Sequence, residues 1–357
     1  MMPGYAVAPF VEELCVDMSL ASHIAPVVAV DPLFDDAGAA AMLELCTRHG
    51  CYRTYAEREH IDTDLGRGLA QRHDSMRNFL RLAGERKRGE SKHTLTSRTS
   101  YFREEYAYGG EPIVPGIEPF LDHPGLADAA RAIHDRPIIE PSIAYANLLV
   151  PGQELAVHTD VPEFRGANRK TVPQWLLVVM HHSGLFDDWR LPIATGIAWF
   201  QRSEGGALLY WPDGPTAPVC THPIEPNTAL VLDTDSVFHG VASVGAVATS
   251  DLPAIGTGVT LAADGPGAWS LRDGAGEELA RYSWDELRFS VSWKAYCLRD
   301  DAERDAWRHH TDDLNYDAIV TRLVEDLRDR GRIAGAVEHD RELGLVLIDE
   351  YVRFPAS

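Results

Sequence analysis

Cysteine is scarce: Cys15, Cys46, Cys51, Cys220 and Cys297 are the five in 357 residues. Their number is odd and they show no CxxC or zinc-finger spacing, which excludes a disulfide framework and points to reduced thiols in a cytoplasmic protein. Basic charge is also short, with 33 Lys and Arg against 54 Asp and Glu, a formal net charge of −21. Nucleic-acid affinity rests largely on Lys and Arg neutralising phosphates, so no nucleic-acid partner is expected. Long apolar runs are missing too. The longest, Trp175 to Met180, is far short of the ~20 residues that span a bilayer, so no membrane partner is expected. The first twenty residues carry Glu12, Glu13 and Asp17 and no basic stretch leading into an apolar one, so no secretory leader is expected. What remains is chemistry on a small-molecule substrate.

An apolar fraction of 45% is ample for a large core. Residues 1–140 read as a mainly helical region packing on that core. Asp35 or Asp36 caps a helix through Ala39 to Cys46 that Gly50 would end, and Leu121 to His134 is a second helix. Between them Glu57 to Ser100 is polar and reads partly as a mobile loop. From Pro141 short β-branched and aromatic runs alternate with Gly, Pro and Asp turns. Strands are predicted near Ala144–Val150, Glu154–His158, Gln174–His182, Ile197–Gln201, Ala207–Trp211, Ala229–Asp233, Val237–Val244 and Leu287–Leu298. Eight is the strand count of a jelly roll, so the expected fold is mainly β with α: a double-stranded β-helix over 141–300, flanked by helical segments. Beyond 300, Tyr316 to Arg330 sets Ile319, Leu323 and Leu327 at intervals of four, one face of a helix within a C-terminal segment 301–357.

His158-Thr159-Asp160 ends a predicted strand. Residues i and i+2 of a strand share a face, so imidazole and carboxylate aim at one point. Two His and one carboxylate form the facial triad of non-haem iron(II) oxygenases, which leaves coordination positions open. The tripeptide alone says little, because His60-Ile61-Asp62 repeats it in a polar, turn-rich segment without a strand.

The wider context is more telling. Asn147 to Asp160, with its Pro151-Gly152 turn between two strands, resembles the 2-oxoglutarate/Fe(II) dioxygenase superfamily, and most of all its prolyl hydroxylase and AlkB-like branch. Gly205-Gly206 before a strand ending at Trp211 looks like the Gly-Gly turn of that family, and Pro226–Asp233 with Val237–Val241 like the strand pair that delivers the distal histidine. Arg288-Phe289-Ser290 looks like its R-x-S element. The resemblance implies His158, Asp160 and His239 as metal ligands, with Arg288 and Ser290 on the far carboxylate of 2-oxoglutarate and Asn147 on its 2-oxo acid end. It implies Fe(II), 2-oxoglutarate and O₂ as reactants, and hydroxylation of an unactivated C–H bond with release of succinate and CO₂. The related halogenases lack the carboxylate ligand, so Asp160 argues against halogenation.

Among later histidines, His181 and His182 come too early in the family order and read as packing or substrate-side residues, and His222 reads as a loop residue. His309 and His310 fall in the C-terminal helical region. His239 alone follows an apolar strand and precedes Gly240-Val241; the plain alternative is a hydrogen-bonded core histidine. R-x-S also occurs at Arg281-Tyr282-Ser283, read as a loop or helix start, whereas Arg288, Ser290 and Ser292 alternate on one strand face. Between His239 and Arg288 the family has a short turn; here an insert at about 245–285 reads as a lid, an extra hairpin or a surface excursion. Candidate substrate contacts are Glu163 and Arg165 in the loop after the metal motif, where mixed charge would suit an amino-acid-like substrate. Arg98 and Tyr101 join them from the 97–103 segment, which could close over the site. Two other readings stay open: a cupin-like metalloenzyme without 2-oxoglutarate, which has no need of Arg288, and an AlkB-type demethylase, which the acidic charge disfavours.

Overall fold

The computed structural model describes residues 25–55, 92–247, 251–335, 341–353 and 355. His60 and Asp62 lie outside them, as does most of the Glu57–Ser100 stretch. The chain opens with β1 (Val27–Val30), α1 (Asp36–His49), β2 (Cys51–Thr54), α2 (Lys92–Thr99), β3 (Phe102–Tyr108), β4 (Glu111–Pro112), α3 (Glu118–Leu121) and α4 (Pro124–His134). Then come β5 (Ile138–Leu149), β6 (Leu155–His158), β7 (Glu163–Phe164), α5 (Gln174–Ser183), β8 (Arg190–Leu191), β9 (Ile193–Trp199) and β10 (Leu208–Trp211). They are followed by β11 (Cys220–His222), β12 (Thr228–Leu232), β13 (Phe238–Val241), β14 (Thr260–Ala263), β15 (Ala268–Arg272), β16 (Glu278–Ser283) and β17 (Arg288–Leu298). The chain closes with α6 (Asp301–His309), α7 (Tyr316–Asp329) and α8 (Arg341–Tyr351).

Eight strands form two antiparallel sheets, ordered β12-β9-β17-β5 and β11-β10-β13-β6. Successive strands alternate between the sheets, save for the β10–β11 hairpin, which is the wiring of a double-stranded β-helix. The first sheet grows outward at both edges. β1 pairs with β12, and β3, β2, β14, β15 and β16 follow beyond β5. The added strands cover both edges of the core sheet, β12 and β5, and move its open edges out to β1 and β16.

Local chemistry explains the helices. The Asp35 carboxylate accepts from Gly38 N at 2.8 Å to start α1, and Gly50, at φ 75°, ends it in the left-handed conformation. α4 buries Leu126, Ala129, Ala130 and Ile133 in the core shared with the large sheet. A second core gathers α5, α7 and α8, where Ile319, Leu323 and Leu327 meet the Leu176–Met180 run.

The structure corrects several expectations. Gln174–His182 is a helix, not a strand. Its Leu176–Met180 side chains are all buried, so no periodicity distinguishes the two, and Pro173 and Gly184 bound it as helix punctuation. The eighth core strand is β11, with only three residues, in what read as a loop around His222. Among the described residues of the first 140, the helices α1 to α4 are joined by strands that the expectation lacked: β1, β2 and β3 hydrogen-bond into the large sheet. Of the readings open for the insert, the extra hairpin is the one found: a three-stranded meander pairing with β2, with Leu261, Trp269 and Leu271 buried in the main core. Arg281 lies on β16 within it, exposed and paired with Glu278 and Asp264.

Candidate metal centre

β13 lies antiparallel beside β6, with His239 directly opposite His158. Their ring centroids are 4.3 Å apart. Each imidazole is oriented by a carbonyl two residues back: His158 Nδ1 donates to Ala156 O at 2.7 Å, and His239 Nδ1 to Val237 O at 2.9 Å. That fixes the tautomer and turns both Nε2 atoms toward Asp160, whose Oδ1 lies 3.6 Å from His158 Nε2 and 4.0 Å from His239 Nε2. Gly240 permits the approach, because a Cβ there would stand 2.8 Å from Leu155 O. The ligand atoms of the three buried residues fall within 4.8 Å of one another, close enough to hold one metal ion.

Asp160 leaves β6 held by its backbone, which donates to Thr234 O at 2.8 Å. Lys294 Nζ donates to its second oxygen, Oδ2, at 2.8 Å and to Thr195 Oγ1 at 2.9 Å. Burial pushes the Asp160 carboxyl up, but Lys294 and the two imidazoles outweigh it and hold the group well below the usual carboxylate range. The anionic form is thus ready to ligate. Burial opposes the Lys294 charge, yet Asp160 keeps it above the ordinary lysine value.

The same cavity, about 520 Å³ counted to its open mouth, runs from the triad to Arg288. Arg288 Nε donates to Gly206 O at 2.8 Å and its Nη1 to Ser290 Oγ at 2.9 Å, both uncharged acceptors. Burial without an acid partner lowers its pKa to about 10, so it stays cationic at neutral pH. A buried cation of this kind lacks an anion, and the cavity offers the space for one. Gly206 shapes the turn: a Cβ there would stand 2.7 Å from Arg288 Cδ, and its φ is 70°. Asn147 lies opposite Ser290 on β5 and also lines the cavity; its Nδ2 donates to Ser292 Oγ at 3.3 Å, while its Oδ1 is buried without a hydrogen-bond partner.

The structure therefore gathers His158, Asp160, His239, Arg288, Ser290, Asn147 and Tyr101 around one cavity. It places the other three elsewhere. Arg165 forks onto Asp312 at 2.8 and 2.9 Å and donates to Asp188 O, tying the loop to the C-terminal segment. Glu163 accepts from Tyr296 Oη at 2.8 Å, and Arg98 is ion-paired with Glu154. His181 donates to or accepts from Ser236 Oγ at 2.9 Å at the end of α5, and His222 stacks on Trp199. Lys294, Tyr145 and Thr195 escaped the sequence reading. The alternation Arg288, Ser290, Ser292 continues to Lys294, so period-two counting along β17 carried the signal for the lysine.

No protein-family model and no curated protein matches the sequence. Solved structures similar to the chain include an oxidoreductase of the 2OG-Fe(II) oxygenase family from Burkholderia pseudomallei. That match has 12% identity over 76% of this chain and 87% of that one, with a TM-score of 0.38. Another is a prolyl hydroxylase from Trichoplax adhaerens in complex with a hypoxia inducible factor peptide fragment, at 9% identity over 78% and 86%, TM-score 0.38. A third is HygX from Streptomyces hygroscopicus with nickel, 2-oxoglutarate and hygromycin B bound, at 9% identity over 76% and 82%, TM-score 0.36. Among the described residues no helix is long and apolar enough to cross a membrane.

Proposed function

We propose that this chain is an Fe(II)- and 2-oxoglutarate-dependent oxygenase that oxidises, most simply hydroxylates, a C–H bond of a small molecule. One observation carries the reading: the His158, Asp160, His239 cluster and the acid-less buried guanidinium of Arg288 share a single cavity. A 2-oxo dicarboxylic acid matches that pair of ends, since one end chelates and the other needs a cation.

When bound, iron with 2-oxoglutarate and O₂ supplies the oxidising power, and the protein positions one C–H bond and excludes others. His158 and His239 present Nε2, each locked by its Nδ1 bond to a backbone carbonyl. Asp160 offers Oδ1 while Lys294 occupies Oδ2, which favours one-oxygen ligation. Arg288 and Ser290 would take the far carboxylate, and Asn147 the 2-oxo acid end. A cupin-like metalloenzyme without the 2-oxo acid gives Arg288 no task and leaves its buried charge unexplained.

The test is anaerobic titration of the iron(II)-loaded protein with 2-oxoglutarate, read by the weak visible band of the chelate. The band is expected with the wild-type chain and lost in His239→Ala and Arg288→Ala, the latter with iron binding retained. Iron binding with no band in the wild-type chain would sink the 2-oxo acid reading in favour of the cupin-like one.

A further inference from the structure

Arginines in this acidic protein are commonly matched with carboxylates: Arg53 with Glu104, Arg98 with Glu154, Arg165 with Asp312, Arg190 with Asp233. Two depart from that pattern: Arg288, which lines the cavity, and Arg103, which lies beside two tyrosines at its rim, Tyr55 and the cavity-lining Tyr145. Arg103 sits on β3 directly opposite Asn147 of β5. Cross-strand partners project from the same face of a sheet, and Asn147 lines the cavity, so Arg103 stands on the cavity face. Its Cζ lies 3.3 Å from the Tyr145 ring centroid and 4.9 Å from that of Tyr55. Tyr55 in turn stacks on Tyr101 at 5.2 Å, and Tyr101 and Tyr145 both line the cavity. Among the described residues no hydrogen bond or ion pair reaches the Arg103 guanidinium; its contacts are these aromatic faces. Glu105, two residues on and opposite Tyr145, shares this face of β3 without pairing to it, and Arg169 adds a second positive charge to its surroundings.

At 3.3 Å the guanidinium rests against the face of the ring, which leaves the N–H groups at its edge to meet a ligand. A planar guanidinium edge matches a carboxylate through two parallel N–H···O bonds. An aromatic support holds the cation in place without consuming its donors. We propose that Arg103 is the anion-recognition residue of the substrate subsite, and that the substrate is a small molecule bearing a carboxylate. Arg288 then holds the anion of the co-substrate and Arg103 that of the substrate, from β17 and β3, the strands on either side of β5. The substrate half of this assignment rests on the oxygenase reading, whereas the anion subsite does not.

The experiment measures binding of matched pairs to the full chain carrying Ni(II), with and without saturating 2-oxoglutarate, by ligand-observed NMR. The pairs are N-acetyl amino acids against their primary amides, and aryl- and alkanoic acids against theirs. Acids are expected to bind the wild-type chain at least tenfold tighter than their amides, with Arg103→Gln erasing the preference and Arg103→Lys keeping part of it. The 2-oxoglutarate affinity of Arg103→Gln, measured in the same samples, is expected to be unchanged, which also certifies its fold. If no acid outbinds its amide, or if Arg103→Gln keeps the preference, Arg103 is only a brace between tyrosines and the proposal falls. If the acid preference holds while the wild-type chain ignores 2-oxoglutarate, the oxygenase reading fails and the anion subsite stands.

Discussion

Behind the metal centre Asp235 is 1% exposed, and neither of its carboxylate oxygens has a hydrogen-bond partner among the described residues. Its neighbour Asp233 differs: Arg190 Nη2 reaches both of its oxygens, at 2.7 and 3.0 Å, and keeps it ionised. Burial, then the charge of Asp233, pushes the Asp235 carboxyl up to about 7. The sign follows. Between the ordinary carboxylate value near 4 and pH 7 the folded chain holds a proton that the unfolded chain has released, so stability falls as pH rises through that window. The penalty is fully present above pH 7. Asp235→Asn should therefore gain on the order of a few kcal/mol of unfolding free energy at pH 8 and almost nothing at pH 4. Urea denaturation of both proteins at the two pH values checks this. An equal effect at both would mean that Asp235 is ionised throughout.

At the scale of elements, the turn entering β10 controls the site more than its length suggests. Gly205 and Gly206 both have φ of 70°, where a side chain is strained, and a Cβ on Gly206 would collide with the Arg288 stem at 2.7 Å. Gly206→Ala should then cost about 1–2 kcal/mol in backbone strain and displace the guanidinium as well. Loss of a buried charge partner is worth about 2–5 kcal/mol, so 2-oxoglutarate affinity should fall by roughly 30-fold or more. Iron affinity should hold, because the Cβ would press on Arg288 and Val244 and on none of the metal-ligating residues His158, Asp160 and His239. Isothermal titration with each ligand separates the two effects, and equal loss of both would point to unfolding of the turn. The same turn was legible in the sequence because glycine chemistry is local, as were the Asp35 cap and Gly50 stop of α1. The strand that delivers His239 was legible for a similar reason, since an apolar run ending in Gly240 is a short-range signal. α5 was not: Leu176–Met180 are buried on every side, and uniform burial erases the period that separates helix from strand. Glu163 and Arg165 in the loop after the metal motif, and Arg98 on α2, are a different case. Charge in a sequence marks a surface or a site equally well, and their partners Tyr296, Asp312 and Glu154 come only with the tertiary fold.

At the scale of the whole molecule, the insert before β17 is part of the sheet that carries the site. β14 pairs with β2, β2 with β3, and β3 with β5, so the meander continues the sheet whose central strands hold Asn147 and Arg288. Trp269 on β15 is 1% exposed; it packs 5.9 Å from Tyr52 and stacks at 5.4 Å on Trp284, which in turn meets Phe289 of β17. Sequence could not show this, because a stretch rich in Gly, Ala and Asp becomes a strand meander only when a distant edge, here β2, receives it. If the insert were a detachable lid, truncating Trp269 would trim the cavity mouth and leave stability alone. Since it is core, Trp269→Ala should cost about 3–5 kcal/mol, the usual range for a buried tryptophan. The 2-oxoglutarate affinity of the folded fraction should stay near that of the wild-type chain, because Trp269 is not among the residues lining the cavity. Urea unfolding and anaerobic 2-oxoglutarate titration of one preparation read the two quantities side by side. Unchanged stability with altered binding would return the insert to the role of a lid; the opposite pattern places it in the frame that holds β5 and β17 in register.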